Sequence, residues 1–121
     1  MDGMFIDCFD FDQPLNNWNV SNVTTMAQLL YGCYNFNQPL DKWDVSKVTD
    51  MSSLFANCMS FNQDISGWDV SNVTSFYSLL WDCISFNQPL GTWNTASATN
   101  MEYMFYNLEN FDQDLSQWCV L

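Results

Sequence analysis

Phe36-Asn37-Gln38-Pro39-Leu40-Asp41-Lys42-Trp43-Asp44-Val45-Ser46-Lys47-Val48-Thr49-Asp50-Met51 is the stretch from which the rest of the chain can be read. It returns with substitutions from Phe11, Phe61, Phe86 and Phe111, each time with Gln two residues on and Trp seven residues on. Trp18, Trp43, Trp68, Trp93 and Trp118 therefore recur every 25 residues. A fixed period of about 20–50 residues is the mark of stacked units, none of which can bury its apolar face alone. The chain reads as one domain, 1–121, made of a partial repeat 1–10, full repeats 11–35, 36–60, 61–85 and 86–110, and a partial repeat 111–121.

Two local patterns alternate within each repeat. In Val23-Thr24-Thr25-Met26-Ala27-Gln28-Leu29-Leu30-Tyr31-Gly32-Cys33 the apolar positions suit one face of a short helix, with Ser21-Asn22 placed to cap it. The pattern recurs at Val48/Met51/Leu54/Phe55/Cys58, Val73/Phe76/Leu79/Leu80/Cys83 and Ala98/Met101/Met104/Phe105/Leu108, and a truncated copy opens the chain. Before each helix, Trp and Val alternate with polar residues, as in Asn17-Trp18-Asn19-Val20, which predicts a short strand. One strand and one helix per repeat predict an α/β solenoid: about five 25-residue coils, a parallel β-sheet on one face and short helices on the other.

The wording Phe-Asn-Gln-x-Leu-x-x-Trp-Asp-Val-Ser-Asn-Val-Thr-x-Met-x-x-Leu-Phe resembles a leucine-rich repeat, and more closely the BspA-type repeats of bacterial lipoproteins and large surface proteins. The resemblance covers essentially the whole chain. It implies a strand-plus-helix solenoid and a role in adhesion or protein interaction at the cell surface.

Composition narrows the functional classes. Apolar residues make up 48% and aromatics 17%, enough for a core, while two lysines face 14 carboxylates for a net charge of −12. Nucleic acid and anionic membrane surfaces are excluded as partners, because both require clustered basic side chains. No apolar run approaches the roughly 20 residues of a membrane-spanning helix. Met1-Asp2-Gly3-Met4 contains no basic segment, so no signal peptide is visible. With no histidine and no arginine, Ser–His and Cys–His pairs and imidazole metal sites are ruled out. The chain is read as a non-enzyme with no cofactor and no metal.

Recurring positions form columns. Cys8, Cys33, Cys58 and Cys83 share a column with Leu108, which marks the slot as apolar, while Cys119 falls in the outward column of Asn19, Asp44, Asp69 and Asn94 and is expected to be an exposed thiol. The tryptophan column is expected to face inward with the valines. The outward strand face is the candidate binding face: Asn17, Asn19, Lys42, Asp44, Asp69, Thr92 and Asn94. A protein or a glycan at the cell surface is the partner this face would suit. The alternative is a structural protein stacking head to tail into a filament through Met1, Met4, Phe5, Trp118, Val120 and Leu121, because neither end carries a polar cap. The expected location is extracellular or on the cell surface.

Overall fold

The computed structural model describes residues 1–118; Cys119, Val120 and Leu121 lie outside it, and with them the readings of Cys119 as an exposed thiol and of Val120 and Leu121 as end contacts. The repeat period is realised as a stack: side chains and backbone of one coil bond to positions about 25 residues further on throughout the chain. The predicted α/β architecture, however, does not form. Among the described residues there is no helix, and β-structure is confined to isolated parallel bridges linking Thr25, Asp50, Ser75 and Asn100.

What forms instead is a chain of β-turns. In the coil that starts at Phe36, i→i+3 hydrogen bonds close Leu40–Trp43, Val45–Val48, Met51–Leu54, Phe55–Cys58 and Cys58–Phe61. Each turn begins and ends on a residue that points inward, and every one of these corner residues is buried. A spacing of three between apolar positions is common to a helix face and to a run of turns, which is why the pattern reads as helical. Handedness separates the two. Gln28, Ser53 and Ser78 have φ of 57°, 56° and 52°, and Asn57 and Asp82 have φ of 61° and 58°. These fall at the third residue of the turns, where a type II turn requires positive φ and where a right-handed helix cannot continue.

The turns leave alternate N–H groups free to reach the next coil. Met26, Gln28, Leu30 and Gly32 donate to the carbonyls of Asp50, Ser52, Leu54 and Ala56 at 2.9–3.1 Å. The same ladder continues from Met51, Ser53, Phe55 and Asn57 to Ser75, Tyr77, Leu79 and Trp81. Just before this run, at the parallel bridges, the direction reverses: Thr49, Thr74 and Thr99 donate back to Thr24, Thr49 and Thr74 at 2.8 Å. The Trp-x-Val segment, predicted as a strand, is instead the link between two turns, one closing on the Trp and the next opening on the Val.

Ladders of like side chains fill the interior. Phe11, Phe36, Phe61, Phe86 and Phe111 stack with centroids 5.8–6.1 Å apart. Trp43, Trp68, Trp93 and Trp118 stack at 6.4–6.5 Å. Each indole N–H of Trp43, Trp68, Trp93 and Trp118 donates to the Leu or Ile carbonyl that opens the equivalent turn of the coil before, at 2.8–3.0 Å. That carbonyl already accepts the turn-closing N–H of its own coil, so both lone pairs are used. Trp18 is 42% exposed and is the member of the column with no tryptophan stacked beneath it; Phe5 leans against it instead.

The cysteines follow the same logic. Cys33, Cys58 and Cys83 are buried free thiols that donate to the carbonyls of Phe5, Leu30 and Phe55 at 3.1, 3.0 and 2.8 Å. Burial pushes the Cys33 thiol up to about 11 and raises Cys58 and Cys83 well above the ordinary thiol value, so all three stay protonated at neutral pH. Asn37, Asn62 and Asn87 add a polar ladder: each side-chain oxygen accepts the backbone N–H and the Gln amide of the coil above.

Candidate functional site

The strand on which the binding face was expected does not form, but its residues still share the outside of the stack. Asn17, Asn19, Lys42, Asp44, Asp69, Thr92 and Asn94 are all exposed and line up across the stack. Much of their polar capacity is already used within the chain. The Asp44 and Asp69 carboxylates accept the backbone N–H and hydroxyl of Ser46 and Ser71 at 2.6–3.0 Å, and Asn19 does the same for Ser21. The serine hydroxyl, then the serine N–H, hold the Asp44 and Asp69 carboxyls below the usual carboxylate range. Asn94 accepts from Ala96 N–H, and Thr92 donates to the Ser66 carbonyl. These side chains brace turns, and none offers an aromatic anchor.

The residues proposed as end contacts are separated by the stack. Met1 and Phe5 are half-buried in the first coil, Met4 is 53% exposed, and Phe5 stacks on Phe11 at 4.4 Å. Trp118 is half-buried against Trp93 in the last described coil.

A different site stands out on the side that carries the positive-φ turns. Outward positions there change from coil to coil while the inward ones repeat. In one column Tyr31, Ala56, Trp81 and Tyr106 succeed one another; in the next lie Gln28, Ser53, Ser78 and Tyr103. Ala56 supplies only a methyl group between two large rings, and the result is a groove of about 220 Å³ lined by Tyr31, Ser53, Ala56, Asn57, Tyr77, Ser78 and Trp81. The backbone N–H groups of its floor are spent on the next coil, Ser53 to Tyr77 and Ser78 to Glu102, so the side-chain hydroxyls are what the floor presents.

The walls are held in place by ring packing. Trp81 stacks on Tyr106 at 4.4 Å and meets the edge of Tyr103 at 5.2 Å, and Tyr77 meets Tyr103 at 5.9 Å. Trp81 Nε1 donates to Asp82 Oδ2 at 2.9 Å, and Asn107 Nδ2 donates to Asp82 Oδ1 at 2.8 Å. Tyr77, Tyr103 and Tyr106 remain 36%, 46% and 52% exposed. A contiguous exposed aromatic cluster of this kind is the usual mark of a contact surface. The signal was present in the sequence. Of six tryptophans, Trp81 alone stands outside the 25-residue column, so the core does not account for it.

The stacked-turn architecture and its aromatic groove define a repeat protein whose variable outward columns distinguish one coil from another. The chain belongs to the DUF285 family, described as a Mycoplasma protein of unknown function, whose model matches residues 1–120. No curated protein and no solved structure matches it.

Proposed function

We propose that this chain is a non-catalytic interaction module displayed at the cell surface, and that it meets its partner through the turn face around Ala56. The groove between Tyr31 and Trp81 carries this reading. Large rings left in water contribute little to the stability of the stack, yet on binding they supply rigid apolar area with little loss of side-chain freedom. The inventory of reactive groups points the same way: no histidine or arginine is present, and the buried thiols are held protonated. The BspA-type wording of the repeat supports a surface location, as does a strongly acidic, lysine-poor exterior that keeps the chain away from anionic lipid.

Adhesion of beads coated with the 121-residue chain to immobilised extracellular proteins and glycans tests the contact surface. Ala56→Trp fills the groove with a residue its own column already accommodates at Trp81, and is expected to abolish adhesion. The paired change Asp44→Asn and Asp69→Asn, at residues outside the groove lining, is expected to leave adhesion intact. The reverse result would move the contact surface to the polar face. Antibody labelling of intact against permeabilised cells that make the protein tests location, with labelling of intact cells expected.

A further inference from the structure

We propose that the groove over Ala56 receives an arginine side chain from an extended segment of a partner protein, its guanidinium laid on Trp81 and paired with Asp82. This assignment rests on the reading that the turn face is the contact surface. Three observations select the ligand. The first is shape. Trp81 is covered on the Tyr106 side by a ring at 4.4 Å, but on the other side the next residue of the column is Ala56. Tyr31 follows one coil beyond, about 10 Å from Trp81 along the stack at twice the spacing of hydrogen-bonded neighbours. That gap admits one flat group lying against the indole.

The second observation is charge. Asp82, bonded to Trp81 Nε1 through one oxygen and to Asn107 through the other, keeps a lone pair free on each. The chain's two lysines lie in the columns of Asn17 and Asn22, away from the turn run, and Lys47 Nζ is engaged with Asn22 at 3.0 Å. The groove is therefore lined by aromatic and neutral polar side chains, with the Asp82 carboxylate beside its Trp81 wall and no cation among its lining residues. The third is geometry of recognition. A guanidinium stacks on an aromatic face and pairs with a neighbouring carboxylate through charge-assisted bonds, which a spherical ammonium does with less ring contact and a neutral sugar, though it can stack and donate, does without the charge.

Calorimetric titration of the 121-residue chain at low salt with a synthetic peptide alternating Arg and Gly tests this. Matched peptides carry Lys or neutral citrulline in place of Arg, and a neutral oligosaccharide serves as the further probe. Binding of the Arg peptide is expected to be about tenfold tighter than that of the citrulline peptide, and tighter than that of the Lys peptide. Asp82→Asn, which keeps the hydrogen-bond acceptor and matches Asn57 and Asn107 in its column, is expected to weaken the Arg peptide about fivefold. Ala56→Trp is expected to abolish its binding, and Asp44→Asn to leave it unchanged. Equal affinity for the Arg and citrulline peptides, or no effect of Asp82→Asn, would overturn the assignment. Oligosaccharide binding that is lost in Ala56→Trp, with no Arg-peptide binding, would overturn it while sparing the turn face as contact surface. If bead adhesion itself survives Ala56→Trp, the underlying reading fails instead.

Discussion

Thr95 is the one residue among those described whose buried side-chain oxygen finds no partner, in a column where Val20, Val45 and Val70 stand in the other coils. Replacing it with valine removes an unsatisfied hydroxyl and keeps the shape. Thr95→Val is therefore expected to stabilise the chain by about 1 kcal/mol in urea unfolding. The opposite sign is expected at Trp68, which combines stacking on two neighbouring indoles with the bond to the Leu40 carbonyl. Trp68→Phe retains part of the ring and loses the donor, at a cost of about 1–3 kcal/mol. The thiols predict a pH dependence. A thiol raised by burial stays protonated in the folded chain while its unfolded counterpart ionises, so the folded state binds more protons above pH 9.0. Its contribution is complete below that value and falls as the pH rises, toward about 11 for Cys33, with Cys58 and Cys83 likewise raised by burial. Chemical denaturation between pH 8 and 10 should show this decline, and alanine at all three positions should flatten it.

At the scale of the element, the turn run decides between two readings of the same letters. The period, the coil boundaries and the inward columns were legible, because they depend only on which positions repeat and which are apolar. The helix was wrong, because apolar spacing does not report the sign of φ. The information that does was in another column: Asp7, Gly32, Asn57, Asp82 and Asn107 are Gly, Asn or Asp throughout, the residues that most easily adopt left-handed backbone, and all have positive φ. The turn geometry makes a prediction that a helix reverses. Asn57→Ala is expected to destabilise by about 1–2 kcal/mol by forcing alanine into positive φ, and Asn57→Gly to be nearly neutral. In a helix interior, alanine would have been the favourable choice and glycine the costly one.

Across the whole molecule, fourteen carboxylates and two lysines place the stack under self-repulsion. The backbone ladders hold it together at close range, where added salt has little effect, whereas the repulsion acts across the solvated surface and is screened. Raising ionic strength from about 10 mM to about 150 mM is accordingly expected to raise Tm, and a fall would mean that attractive surface pairs outweigh the repulsion. The groove, too, is a property of the whole stack, because its walls come from coils that meet only through the 25-residue register. Its floor runs over left-handed backbone at Ser53 and Ser78, and its walls depend on the alignment of Tyr31, Ala56 and Trp81. Backbone NMR of the 121-residue chain tests this most directly, through the intraresidue HN–Hα contacts that distinguish positive from negative φ. Strong contacts at Gln28, Ser53, Asn57, Ser78 and Asp82 are predicted, together with slow amide exchange at Met51, Phe55 and Asn57. Uniform helical shifts across 48–58 and 73–83, with weak contacts at those five residues, would contradict the turn stack and the groove built on it.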